Sequence, residues 1–82
     1  MSVEALAATL AGINEQLRES YRVLRVAQQR LSEAGAGLAE LSENHSDSLL
    51  PPQLSLASDA LRAGMDQLAG CMAATERLAA RL

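Results

Sequence analysis

Apolar and small residues recur in alternating three- and four-residue steps along the first half of this chain: Val3, Leu6, Leu10, Ile13, Leu17, Ser20, Leu24, Ala27, Leu31, Ala34, Leu38 and Leu41. About six heptads stay in phase, the signature of a long helix that lies against another helix. Five Leu and one Val occupy the a sites, whereas the d sites read Leu, Ile, Ser, Ala, Ala, Leu, so the stripe narrows in its middle. A narrow middle lets a neighbouring helix approach closely.

Gly35 and Gly37 each weaken a helix by about 1 kcal/mol relative to Ala. Ending the helix there would strand Leu38 and Leu41, which keep the phase, and would leave an uncommonly long irregular loop. Asn44, which tolerates the left-handed conformation, is the expected terminator. The segment HSDSLL then reads as a turn, and Pro51-Pro52 opens a second helix, because a proline in the first turn loses no hydrogen bond.

The second stripe runs Leu54, Ala57, Leu61, Gly64/Met65, Leu68, Cys71/Met72, Thr75, Leu78 and Leu82. The fold class expected is all-α: one antiparallel hairpin over 1–82, with helix 1 at about 3–43, a turn at about 44–51 and helix 2 at about 52–82. At 1.5 Å per residue the arms are unequal, ~60 Å and ~45 Å. An antiparallel partner starting at the turn runs out near Ile13, so Val3, Leu6 and Leu10 are expected to project uncovered.

The chain is 82 residues long, too short to bury a large fraction of its surface unaided. Its lone Cys71 excludes an internal disulfide, and with a single His45 no zinc-ligand set exists. Association with another chain is the remaining source of stability. The stretch QLAGCMAAT, from Gln67 to Thr75, carries no charge on any face, and its small residues, with Gly64, admit close helix packing. The hairpin is therefore expected to assemble into a bundle of four helices or more, as a homodimer, a larger homo-oligomer or with another helical protein. The interface expected from sequence comprises Val3, Leu6, Leu10, Val23, Val26, Leu68, Gly70 and Met72.

Other clusters carry less. Arg18, Arg22 and Arg25 share the face opposite the stripe and form a candidate track for an anionic partner. Glu15 and Glu19 lie beside them, no aromatic residue interleaves to stack on bases, and the net charge of −3 works against nucleic acid and anionic lipid alike. Glu40, Glu43, His45 and Asp47 gather near the turn without the spacing of any metal loop. No nucleophile stands in a recognisable frame and Cys71 has no adjacent cation, so neither catalysis nor a cofactor is expected. Ser20 reads as a small seam hydroxyl bonding its own backbone, and Met65 and Met72 as core filler.

Glu4 stands where a signal peptide carries positive charge, and no apolar run is long enough to span a membrane. A cytoplasmic protein is expected, with signal-less secretion open to it. In plan, two antiparallel helices with a turn near residue 45, the chain resembles the small Trp-x-Gly helical-hairpin proteins of type VII secretion and their motif-less partners. The turn reads ENHSDSLLPP where that family has Trp-x-Gly, and Ala74–Leu82 contains no Tyr for its export signal. The resemblance implies a homo- or heterodimeric four-helix bundle and carries over no functional residue. The reading from sequence is a non-catalytic structural or adaptor module; a secretion-associated partner and a small nucleic-acid-associated regulator are the alternatives.

Overall fold

The computed structural model describes residues 2–82, and those residues form two helices, α1 (Val3–Ser42) and α2 (Pro52–Ala80), packed along each other with no strand. Ser2 caps α1, its Oγ accepting from the Ala5 amide at 3.0 Å, and Glu4 places a carboxylate at the positive end of the helix dipole. At the other end no left-handed residue occurs, so Asn44 does not terminate α1 in the expected way. Its last carbonyls are taken up by short-range bonds instead: Glu43 N–H donates to Glu40 O and Asn44 N–H to Leu41 O, both at 3.3 Å. Proline at the start of α2 needs no cap for its missing N–H.

Three cross-helix contacts fix an antiparallel register. An added Cβ on Gly35 would stand 3.2 Å from Leu54 Cδ2, one on Gly64 would stand 3.3 Å from Leu24 Cδ1, and the Thr75 hydroxyl bonds the Asn14 side-chain oxygen. Bare glycine at Gly35 and Gly64 lets the opposing leucines settle against the backbone.

That register differs from expectation at the N-terminal end. Leu10 does not project: it is 6 % exposed, the one buried hydrophobic side chain among the described residues. The connector explains the difference. It does not turn sharply but runs back along α1, where Leu49 N–H donates to Ser42 Oγ at 2.8 Å and Leu50, Pro51 and Pro52 border a groove with Leu31, Ser32 and Gly35. Helix α2 therefore begins level with Gly37 rather than with Ser42, about one and a half turns lower, and its far end reaches past Leu10. Only Val3 and Leu6 remain exposed there.

The seam is also rotated. The buried or half-buried positions of α1 are Leu10, Asn14, Leu17, Tyr21, Leu24, Ala27, Gln28, Leu31, Gly35, Leu38 and Ser42. These are the a sites joined by the e sites, with Ala27 the one d site among them. In α2 the half-buried positions are Leu54, Ser58, Leu61, Gly64, Met65, Leu68, Met72, Ala73, Thr75 and Ala79, again a and e sites apart from Gly64, a d site, and Ala73. The e sites win because they hold what the contact needs: the Asn14 carboxamide for Thr75, the flexible Met65 and Met72, and the bare backbone of Gly35.

The result is a rod, not a globule. Its Cα extents are 66 × 14 × 14 Å and its radius of gyration is 19.0 Å, against about 12 Å for a compact chain of this length. It exposes 5966 Å², where a compact monomer of this mass exposes about 4,700 Å².

Candidate functional site

Rotation of the seam onto the a and e sites leaves the d sites on one flank of the rod. In an antiparallel pair like flanks of the two helices fall on the same side, so the d flanks of α1 and α2 form one continuous surface. It carries Leu6, Ile13, Ala27 and Leu41 from α1 and Ala57, Gly64, Cys71 and Leu78 from α2. Near the middle of the rod it opens into a groove of about 600 Å³ lined by Glu19, Arg22, Val23, Val26, Ala27, Arg30, Leu31 and Leu61. Val23 is 58 % and Val26 46 % exposed, so the groove leaves aliphatic surface in water that a docked chain would cover.

The opposite flank is polar. Arg25, Gln28, Gln29, Ser32 and Glu33 from α1 face Ser58 and Arg62 from α2 across a shallow depression. The hairpin thus has one oily side and one wet side, and the division follows from which flank the d residues were left on.

Of the expected interface, Val3, Leu6, Val23, Val26 and Gly70 are exposed, and an added Cβ at Gly70 would meet only open space. Leu10 is buried inside the hairpin, and Leu68 and Met72 are half-buried in its seam, where they face α1. The groove also brings in Glu19, Ala27, Arg30, Leu31 and Leu61, none singled out by sequence as interface residues. The signal that marks them is the helical phase of Val23 and Arg30, one heptad apart, with Glu19 and Val26, likewise one heptad apart, on the adjoining strip.

The arginine track is largely satisfied within the chain. Arg18 Nη1 lies 2.9 Å from Glu15 Oε2, and Arg22 bonds Glu19 through Nε at 3.1 Å and stands 3.8 Å from Glu15. The hydrogen bond to Glu19, reinforced by that carboxylate's charge, raises the Arg22 pKa above its ordinary value. Arg25 stands apart on the polar flank. Two of the three guanidinium groups therefore have carboxylate partners, although exposed pairs of this kind hold them only weakly.

Among the described residues no cluster of three His, Cys, Asp or Glu is placed to hold a metal ion, and no helix is long and apolar enough to cross a membrane. Cys71 is a free, exposed thiol on the apolar flank. No protein-family model, curated protein or solved structure matches the chain.

Proposed function

We propose that this hairpin is a non-catalytic helical association module, a structural or adaptor element whose apolar flank docks on another helical chain to complete a bundle of four helices. The observation that carries this reading is the groove around Val23 and Val26. It is apolar, open and central on the rod, and exposed Leu6, Ile13 and Leu78 stand at d sites on the same flank.

Energetics support it. With Leu10 and Asn14 as the only buried residues among those described, the hairpin seam alone hides little apolar surface. A two-helix unit of this size pays the conformational entropy of a full domain while withdrawing only one stripe per helix from water. A partner on the free flank supplies the missing burial. The chain exposes about 1,300 Å² more than a compact monomer of its mass, comparable to what one partner contributes to a permanent interface.

Sedimentation equilibrium combined with thermal melts over a hundredfold range of concentration tests the proposal. Association through the flank makes the melting temperature rise with concentration. A well-folded monomer whose melting temperature is the same at every concentration would refute it.

A further inference from the structure

The flank of α1 is self-complementary about a single point. Taking Leu24–Arg25 as centre, Val23 and Val26 lie equally far on either side, and so do Glu19 and Arg30, Gln16 and Glu33, and Gly12 and Gly37. The eight fall on two adjoining rows of the helix at heptad spacing, Gln16, Val23, Arg30 and Gly37 on one and Gly12, Glu19, Val26 and Glu33 on the other; the inner four line the groove, while Glu33 borders the polar depression. A helix reversed about that centre meets itself with apolar against apolar, cation against anion and glycine against glycine. The centre is also near the middle of the rod, level with Gly64, beside which Leu24 is packed.

We propose, on the reading that the apolar flank is an association surface, that its occupant is a second copy of this chain. The two copies are related by a two-fold axis perpendicular to the rod at the level of Leu24 and Gly64. Val23 meets the second copy's Val26 at the axis, and Arg30 reaches the second copy's Glu19 on each side of it. Arg30 is free for this, since among the described residues no carboxylate lies within ion-pair distance of it, and Glu19 presents its carboxylate at the groove edge, where it already holds Arg22.

Three further observations fit one arrangement. Gly12 and Gly37 have no neighbour within 4 Å of an added Cβ, so nothing inside the hairpin accounts for glycine at those two positions of α1; in the dimer each stands level with the other across the contact, where two backbones approach. The flank of α2 that comes along carries Ala57, Gly64 and Cys71, all small and uncharged, so it does not hold the copies apart. The excess surface, taken over two chains, is about 2,600 Å², within the range of permanent homodimers. The axis also runs α1 antiparallel to its copy, the favourable alignment of two helix dipoles.

The native thiol makes the geometry measurable. A spin label on Cys71 sits about 20 Å along the rod from its copy, giving a separation of about 20–25 Å. Moving the label to Gln67→Cys in a Cys71→Ala background shortens the separation by about 10 Å, because each step toward the axis counts twice. Copies related by an axis along the rod keep the label pairs side by side, at about 10–15 Å in both positions. Charge reversal gives the second readout. Arg30→Glu and Glu19→Arg are each expected to weaken dimerisation about tenfold or more, by setting like charges together, and the two combined to restore it.

A dimer with the long Cys71 distance, its shortening at residue 67 and rescue in the double variant establishes the arrangement. A dimer with unchanged distances, or a double variant weaker than either single one, overturns this arrangement while leaving the association surface intact. A folded monomer overturns both.

Discussion

Asn14 and Thr75 meet across the hairpin in the one hydrogen bond, among the described residues, between side chains of different helices: the Thr75 hydroxyl bonds the Asn14 oxygen and also lies 3.0 Å from Met72 O. Asn14 is 7 % exposed, so its carboxamide has exchanged water for this contact. Leaving a buried polar group without its partner costs about 1–3 kcal/mol, whereas replacing both groups by apolar ones is close to neutral. Thr75→Val is therefore expected to destabilise the chain by that amount. Asn14→Leu with Thr75→Val is expected to recover most of the loss in urea titration, and equal additive losses would show that the bond does not couple the helices.

The glycines divide by what faces them. Gly35→Val drives two methyl groups against Leu54 and is expected to cost about 1–3 kcal/mol. Gly70→Ala meets open space and is expected to add up to about 1 kcal/mol, the difference in helix propensity. Chemical denaturation of both variants checks the signs, and a stabilised Gly35→Val would mean that the register drawn from Leu54 is wrong.

Truncation separates the hairpin from its association surface. Deleting residues 1–10 removes Leu10 from the seam and is expected to cost the hairpin itself about 1.5–3 kcal/mol, read as lost helicity at the lowest concentrations. Deleting residues 1–5 removes exposed Val3 and the Ser2 cap but no seam residue, and is expected to cost the dilute protein no more than about 1 kcal/mol, the worth of the cap. Equal damage from both deletions would contradict the burial of Leu10.

Replacing Val23 and Val26 together by Ser is expected to weaken association at least a hundredfold, since each loses about 1.5–3 kcal/mol of buried contact. The circular dichroism spectrum of the concentrated protein reports whether helix survives at protein levels that still assemble. Wild-type association by the double variant, measured by sedimentation, would move the interface off the groove.

Duplex DNA is expected not to bind measurably at physiological salt, because Arg18 and Arg22 already face Glu15 and Glu19 and the chain is acidic overall. Tight binding in a fluorescence anisotropy titration, falling steeply with added salt and with Arg22→Ala, would restore the arginine face as a site.

Two long helices were legible because the heptad phase from Val3 to Leu41 admits no other period, and Pro51-Pro52 marks the start of α2. The position of the seam was not. An a site flanked by both d and e candidates leaves the docking direction to the partner helix, and nothing marks Asn14, Tyr21 and Gln28 as seam residues until Thr75 and the methionines of α2 are placed opposite them. The overhang failed for a related reason. Its length depends on the path of residues 43–51, and hydrophobic phase says nothing about whether a connector turns at once or doubles back. Val23 and Val26 were visible as apolar residues beside the stripe; Arg30 and Glu19 acquire meaning only when the groove shows which strip of α1 is left bare.

The doubled-back connector makes the alignment of the two arms a matter of slack. The same helices in a tight-turn arrangement would slide by about one and a half turns, bringing Leu54 away from Gly35 and leaving Leu10 wet. Extra residues inserted between Asn44 and Ser48 would lengthen the slack at a cost of only about 0.6 kcal/mol per doubling of loop length, and the arms would stay where they are. Shortening the same segment has no such tolerance: the chain would have to choose between unwinding the last turn of α1, where Ser42 holds Leu49, and shifting gear along the whole rod. Drift in connector length is thus silent in one direction and structural in the other, so this segment acts as a one-way stop on how the hairpin can change.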